Sequence, residues 1–139
     1  MYWASKNKGA FFNDKQIKVH DKEPIYKIVG INTSGASIEL MKRLHPIFEN
    51  HDHTRHFGAN ALEMAFFARG LMDIFIDIRK KIRVQDMAAG YLLIKEAGGL
   101  ILDDKFEPLD GDLSYQTRLS FIAAANKKIL NDVFLEIKK

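Results

Sequence analysis

The sequence predicts an α/β domain in which helices flank a mixed, mostly central β-sheet. Two observations favour this class. Short apolar runs typical of strands alternate with longer runs of helical periodicity, and no internal repeat or linker rich in Pro, Gly or Ser divides the 139 residues. With 47% hydrophobic and 28% charged residues, the chain can bury a substantial core, which excludes intrinsic disorder. We therefore expect residues 1–139 to form a single domain.

Three strands are predicted before residue 20. Met1–Ala4 is a short strand and Ser5–Gly9 a polar turn, and Phe11–Val19 reads as a hairpin whose turn centres on Asn13 and Asp14.

The next elements alternate between strand and helix. Ile25–Ile31 is a strand candidate, Ser37–Phe48 a helix with an irregularity at Pro46, and His53–Phe57 a short strand. The apolar residues of this helix suit one face, namely Ile38, Leu40, Met41, Leu44 and Phe48.

A buried helix and a regular strand follow. Ala59–Arg69 is almost wholly apolar and stops at Gly70, which indicates a helix with a glycine C-cap. Met72–Arg79 alternates with a period of two, which predicts a strand with one core face and one partly solvated face. The core face carries Met72, Ile74, Ile76 and Ile78, and the other carries Asp73, Phe75, Asp77 and Arg79.

The remaining chain predicts two helices and two strands. Met87–Ala97 is a helix ended by Gly98 and Gly99, and Leu100–Leu102 is a short strand. Leu119–Ala125 is a buried strand. Asn126 is the N-cap of a last helix with Ile129, Leu130, Val133, Phe134 and Ile137 on its apolar face.

Composition excludes several classes of function. The absence of cysteine rules out a disulfide scaffold, thiol catalysis and Cys-ligated zinc. No long apolar run or signal pattern is present, so we expect a cytoplasmic protein that does not enter a membrane. The net charge of +3 could favour anionic ligands, but it is too small and too evenly spread to indicate nucleic-acid binding.

Asp86 is the first candidate for chemistry. It occupies the expected N-cap of the helix over Met87–Ala97, and the small residues Ala88, Ala89 and Gly90 would let that helix approach another backbone or a ligand closely. One reading is a structural cap. The other is a carboxylate presented to a divalent cation beside a phosphate. The local sequence leaves both open.

A group of basic residues is the second candidate. It comprises Arg55, Arg79, Lys80, Lys81 and Arg83. Arg79 ends the more polar face of the best strand, where its guanidinium could hold a phosphate through two parallel hydrogen bonds. The alternative is a solvated basic loop.

Two further groups are weaker. His45, His51, His53 and His56 lack the spacing of a zinc site and are better explained as exposed loop and strand-edge residues. The acidic stretch Asp103–Asp112 lacks the ligand register of a calcium loop and indicates a solvated turn.

Several of these segments together resemble the inositol monophosphatase family. Asp86–Gly90, continued by Leu93–Gly99, is similar to the family's second signature, and Lys6–Val19 resembles the strand pair that starts its C-terminal half. Arg55–Ala59 and Gly70–Asp73 match the helix and strand between them. The resemblance is collinear over the whole chain, and it is closest to archaeal members that act both as inositol monophosphatase and as fructose-1,6-bisphosphatase.

Two departures from the family pattern stand out. Gln85 replaces the tryptophan before the signature aspartate, and the family's N-terminal half, which supplies most magnesium ligands, has no counterpart. Glu107–Asp112 imitates the missing signature, but it lies after the second signature and has the wrong end residues. We interpret it as a coincidental turn.

The resemblance implies a function and its residues. Asp86 would be a catalytic magnesium ligand, and Arg55, Asn60 and Arg79 would face a sugar or inositol phosphate. At the start of a helix, Asn60 could instead bond only to the first turn. The implied reaction is Mg²⁺-assisted hydrolysis of a phosphomonoester, such as inositol monophosphate or fructose-1,6-bisphosphate. A single carboxylate should bind Mg²⁺ weakly or not at all, so the chain is predicted to be an incomplete catalyst alone.

The sequence leaves two partners and one rival function open. The predicted partners are a chain carrying the N-terminal half and a second copy of this chain, because apolar surface facing a missing half would favour self-association. The rival is a non-catalytic module for sugar-phosphate binding or for assembly.

Overall fold

The computed structural model describes residues 1–20, 22, 27–109 and 114–138. Eight strands and four helices follow one another in these ranges: β1 (Tyr2–Ser5), β2 (Gly9–Phe12), β3 (Lys15–Ile17), β4 (Ile28–Ile31), α1 (Ile38–Asn50), β5 (His53–Arg55), α2 (Asn60–Ala68), β6 (Ile74–Arg83), α3 (Val84–Glu96), β7 (Leu100–Leu102), β8 (Arg118–Ala124) and α4 (Lys127–Ile137). The predicted strand over Ile25–Ile31 is confirmed from Ile28, and its first two residues lie outside the described ranges.

The strands form two sheets. A small antiparallel sheet has the order β1-β2-β3, and a five-stranded sheet has the order β5-β4-β6-β8-β7. Strand β4 runs parallel to β5 and β6, whereas β8 runs antiparallel to β6 and β7. The predicted α/β class with a mixed sheet is therefore confirmed.

The helices cover these sheets in two pairs. Helices α2 and α3 pack on each other, and α3 contacts both β1 of the small sheet and strands of the large sheet. Helices α1 and α4 pack together, and α4 contacts β8. No helix in the described ranges is both long enough and apolar enough to cross a bilayer.

Strand β6 lies at the centre of the large sheet and is buried on both faces. Phe75 and Asp77 are as fully buried as Ile74 and Ile76, so the prediction of a partly solvated second face is wrong from Ile74 to Ile78. The reason is that this central strand is covered on both sides, and polar residues on the second face are buried by pairing with other polar groups.

The small sheet is fastened to α3 through Glu96. Its carboxylate accepts hydrogen bonds from the backbone N–H groups of Asn7 at 2.7 Å and Gly9 at 2.8 Å. These bonds lower the pKa of Glu96, because they stabilise the charged carboxylate.

Both strands of the predicted hairpin are confirmed, and Asn13 in its turn has a left-handed φ of 53°.

Helix α1 begins one residue after the predicted start, with Ser37 as its N-cap, and buries a different stripe. The Ser37 hydroxyl accepts from the Leu40 N–H, and the helix continues past Pro46 to Asn50. Its buried residues are Leu44 and Ile47. Ile38, Met41 and Phe48, which were predicted to share the core face with Leu44, are exposed, with Ile38 78% accessible.

Helix α3 begins earlier than predicted, because β6 runs into it without a loop. Arg83 is both the last residue of β6 and the N-cap, and Asp86 is the third residue of the helix. The prediction that Asp86 is the N-cap is therefore wrong. Gly90 faces Met64 of α2, and a methyl group at Gly90 would lie 2.8 Å from the Met64 Cβ. The small residue thus serves helix packing.

The C-terminal helix is confirmed as predicted. Asn126 caps α4 by accepting from the Ile129 N–H, and Ile129, Val133 and Ile137 are buried. One predicted surface histidine belongs here instead, because His51 is buried and its Nε2 lies 3.0 Å from the Glu136 carboxylate. This pair links the end of α1 to α4.

Candidate functional site

The candidate site lies where the three parallel strands end. Because β4, β5 and β6 run in the same direction, their carboxyl ends meet at one edge of the sheet. The loop over residues 32–37 follows β4, and residues 56–59 follow β5. Side chains from segments far apart in sequence are thereby brought together.

An irregularity in β6 shapes this edge. Asp77 pairs with Phe121, but the next partners are Ile82 and Leu119, so β6 carries three more residues than β8 between these two pairs. We call residues 78–81 the β6 bulge. Within it, Lys80 has a left-handed φ of 56°, and its N–H donates to the Ser120 hydroxyl at 3.0 Å. Bulges re-aim side chains away from a regular ladder, which here affects Arg79 and Lys81.

A cleft of about 460 Å³ lies against the bulge. Its lining brings together three of the four sequence-predicted site residues, Asn60, Arg79 and Asp86. The lining is completed by Ala59, Ala61, Leu62, Lys81 and Ile82. The fourth predicted residue, Arg55, is not among the lining residues, and its exposed guanidinium donates to the carbonyl of Thr54 at 2.8 Å.

Arg79 is held rigidly by a buried carboxylate. Its Nε and Nη2 donate to the two oxygens of Asp77 at 2.8 and 2.6 Å, and its Nη1 donates to the Ser34 carbonyl at 2.8 Å. Only 10% of the Arg79 side chain is accessible, and that of Asp77 is fully buried. The alternative of a solvated basic loop is therefore wrong for Arg79.

Asn60 joins the same network rather than capping its helix. Its Nδ2 donates to Asp77 at 2.9 Å, and its Oδ1 accepts from the Nδ2 of Asn32 at 3.0 Å. The N-cap of α2 is Ala59. The carboxylate of Glu63 instead receives the N–H groups of Phe57 and Ala59, each at 3.2 Å. Glu63 thereby fixes the segment that leads into Asn60.

The loop after β4 closes the network. The Ser34 N–H donates to the Oδ1 of Asn32 at 3.2 Å, so Asn32, Asn60, Asp77, Arg79 and Ser34 form a closed ring of hydrogen bonds, which we call the Asp77 ring. The neighbouring Gly35 carbonyl accepts from the ammonium of Lys81 at 2.9 Å. The Ser34 hydroxyl lies 3.2 Å from the Nε2 of His56.

Asp86 stands at the other side of the cleft and is paired. Its two carboxylate oxygens accept from the Nε and Nη2 of Arg83 at 2.6 and 3.0 Å. The hydrogen bond to Asp86 raises the pKa of Arg83, which remains charged in any case. Both side chains are more than two-fifths accessible, so water screens the pair strongly.

The described residues do not form a complete magnesium site. No group of three or more His, Asp or Glu side chains in these ranges could hold a metal ion. Mg²⁺ needs six oxygen ligands in an octahedron. The half-exposed carboxylate of Asp86, which is already paired with Arg83, supplies too few. The four histidines considered in sequence do not converge on a site either, since His45 lies by Glu49 and His56 by Ser34.

The acidic stretch after β7 is a turn where it is described. The Asp103 Oδ1 accepts from the N–H groups of Lys105 and Glu107, both at 2.8 Å. Residues 110–112 of this stretch lie outside the described ranges. The described part agrees with the predicted polar turn.

Sequence reasoning missed the residue at the centre of the site, Asp77. A signal was present, because an aspartate within the apolar run from Ile74 to Ile78 is costly to bury unless it has partners, and Arg79 follows on the same side of a regular strand. Asn32 had a similar signal as the first polar residue after β4. The role of Ser34 could not be predicted from its side chain, because it accepts from Arg79 through its backbone carbonyl.

Comparison with known families and curated proteins gives a consistent result. The sequence profile of the inositol monophosphatase family matches residues 1–137. The chain is 35% identical over 137 residues to a fructose-1,6-bisphosphatase/inositol-1-monophosphatase of Thermococcus kodakarensis. This match covers 99% of this chain and 51% of the relative. It is 38% identical over 136 residues to the protein of the same name from Methanocaldococcus jannaschii, with coverages of 98% and 52%.

Solved structures give the same picture. A hypothetical protein from Pyrococcus horikoshii with similarities to inositol-1 monophosphatase superposes with a TM-score of 0.83 at 30% identity and covers 99% of this chain and 52% of its own. An inositol monophosphatase–fructose 1,6-bisphosphatase superposes with a TM-score of 0.79 at 36% identity, over 96% of this chain and 51% of its own. The chain thus spans about half the length of these relatives.

Proposed function

Since this chain belongs to the inositol monophosphatase family, we propose that it is the C-terminal domain, residues 1–139, of a magnesium-dependent phosphomonoesterase that acts on inositol monophosphate or fructose-1,6-bisphosphate. In this proposal, the chain contributes the substrate-facing part of the active site. A cytoplasmic location remains a prediction.

The observation that carries this proposal is the composition of the cleft. Asn60, Arg79 and Asp86 come from α2, β6 and α3, and they line one cavity of about 460 Å³. A random scatter of these three residues over the surface would have argued against a common site. Their convergence supports a role in binding one small ligand.

The charges of the cleft fit a phosphate ester. Arg79 and Lys81 place two cations at the bulge, and each also holds a backbone carbonyl of the loop after β4. A guanidinium can bind phosphate oxygens in parallel, which adds direction to the charge attraction. We propose that Arg79 contacts the phosphate or the sugar next to it, and that Arg55 extends the positive surface outside the cleft.

Asp86 is the proposed metal-facing residue, but this chain needs further ligands. The described ranges place one carboxylate in the cleft, which is too few to hold Mg²⁺ for a metal-dependent step. We propose that a chain or segment corresponding to the other half of the relatives supplies the remaining ligands. When magnesium is bound in such a complete site, it would polarise the phosphate and activate water.

The proposal is tested by separating binding from turnover. Purified chain is titrated with inositol monophosphate and fructose-1,6-bisphosphate by calorimetry, and phosphate release is followed with Mg²⁺ and with EDTA. We expect measurable binding that Arg79→Gln weakens, and no release above the EDTA blank. Absence of binding in a folded sample would contradict a substrate-facing role. Magnesium-dependent turnover would contradict the conclusion that the site is incomplete.

The rival function is a non-catalytic module for sugar-phosphate binding or assembly, and one observation favours assembly. Ile38, Met41 and Phe48 are exposed on α1, where they line a groove of about 400 Å³ with Lys42 and His45. Apolar groups in such an arrangement can drive self-association. Sedimentation velocity over a range of concentrations tests this: a homo-oligomer is expected, and a strict monomer would contradict the assembly role.

A further inference from the structure

The members of the Asp77 ring differ in the polar atoms that they leave free for a ligand. Each polar atom of the Asn60 amide group has a partner in the ring, and both oxygens of Asp77 accept at least two hydrogen bonds each. Asp77 is also fully buried, although its partners Asn60 and Arg79 line the cleft. Asp77 therefore lacks the free, accessible acceptor that direct recognition of a sugar hydroxyl requires.

The guanidinium of Arg79 differs, because part of it is unused. A guanidinium has five N–H donors, and the described contacts use one each from Nε, Nη1 and Nη2. Two donors therefore remain, one on Nη1 and one on Nη2. These two nitrogens form the end of the planar fork, and Arg79, with a tenth of its side chain accessible, lines the cleft.

On this basis, which rests on the proposed function, we propose that Asp77 is a positioning residue for ligand binding. Its buried carboxylate binds the Nε and Nη2 edge of Arg79, so the remaining N–H donors of Nη1 and Nη2 are presented to a phosphate in a fixed orientation. Asn60 holds Asp77 and is itself held by Asn32, so it supports the orientation of Arg79 through Asp77. Pre-ordering of a long arginine side chain reduces the entropy that binding must remove.

The experiment measures binding of inorganic phosphate by the full chain, using shifts of backbone amide and arginine Nε–H signals in the NMR spectrum. The test variant is Asp77→Asn, which keeps the shape but removes the charge. The matched control is Asp73→Asn, because Asp73 lies just before the same strand, is only 5% accessible, and holds His20 and the Ile28 N–H away from the cleft lining. We expect Asp77→Asn to weaken phosphate binding at least tenfold and Asp73→Asn to change it less than twofold.

A double variant distinguishes positioning from direct contact. If Asp77 acts only through Arg79, the double variant Asp77→Asn/Arg79→Gln should bind phosphate no more weakly than Arg79→Gln alone. Additive losses would overturn the proposal, as would an Asp77→Asn protein that binds like the wild type. If Asp77→Asn does not fold, Asn60→Ala removes one support of the carboxylate and should give a smaller loss of the same kind. Wild-type affinity in a folded Asn60→Ala protein would also overturn it.

The arginine signals keep this inference separable from the proposed function. In the free wild-type chain, the Nε–H of Arg79 should exchange with water much more slowly than that of exposed Arg55, and Asp77→Asn should abolish the difference. If phosphate does not bind but this protection is present, the proposed ligand is wrong while the clamp on Arg79 stands. Equal exchange of Arg79 and Arg55 in the wild type would refute the clamp itself.

Discussion

Replacement of Gly90 by alanine tests how closely α2 and α3 approach. The new methyl group would overlap the sulfur of Met64 and lie 2.8 Å from its Cβ, and Met64 is fully buried. The Cβ is fixed to the backbone of α2, so a rotamer change alone cannot remove the overlap. Overpacking of this kind costs about 1–3 kcal/mol, and alanine returns about 1 kcal/mol of helix propensity relative to glycine. Because backbone must move, we take the upper end and expect a net loss of about 2 kcal/mol.

Thermal unfolding followed by circular dichroism measures this loss. For a chain of this size, about 2 kcal/mol corresponds to a melting temperature lower by about 5–8 °C. In a Met64→Gly background, Gly90→Ala should cost much less, because the sulfur, Cγ and Cβ that the new methyl group would meet are all gone. Ala88→Gly, at an exposed position of the same helix, reports the propensity effect alone. A Gly90→Ala protein that melts at or above the wild-type temperature would refute the reasoning.

Three further predictions concern the small sheet, the last helix and metal. The pKa of Glu96 is lowered in the folded state. Its contribution to stability is therefore present above the ordinary carboxyl pKa and is lost as pH falls through the lower, folded value. Fluorescence of Trp3 should report this acid transition, and Glu96→Gln should flatten it. Asn126→Ala removes the side-chain cap of α4 and should cost about 1 kcal/mol in urea unfolding, and no change would show that the cap is dispensable. Because Asp86 is the single cleft carboxylate in the described ranges, Mg²⁺ and EDTA should give the same melting temperature for the isolated chain, and a clear rise with Mg²⁺ would contradict this.

The sequence predicted the order of elements well, because local patterns determine it. Alternation, glycine stops and polar caps identified the strands and helices, including Gly70 after α2 and Asn126 before α4. The main boundary errors, at the end of β6 and the start of α3, arose because Arg83 ends a strand and starts a helix at once. Because the N-cap Arg83 offers no typical capping side chain, the sequence pattern indicates the next aspartate, Asp86, as the start of the helix.

Burial and site geometry were less predictable, because both depend on distant partners. The polar residues of β6 suggested a solvated face. Asp77 is nevertheless buried, because Asn60 and Arg79 donate hydrogen bonds to its carboxylate. Three of the four predicted site residues line one cleft, whereas their mutual contacts pass through Asn32 and the Ser34 carbonyl. Those contacts join positions as many as 45 apart in the chain, which no local pattern encodes.

The β6 bulge also bears on how related chains could diverge. The ladder resumes at Ile82 opposite Leu119, two residues from the Phe121 that faces Asp77, so Ile82 returns to the face of Asp77 although five positions separate the two. The bulge thus takes up an odd number of extra residues without turning the rest of β6 over, because the pairing with β8 sets the face on both sides of it. Changes in the length of the bulge are therefore a route by which evolution could lengthen or shorten the reach of the two cations without disturbing the sheet that carries them.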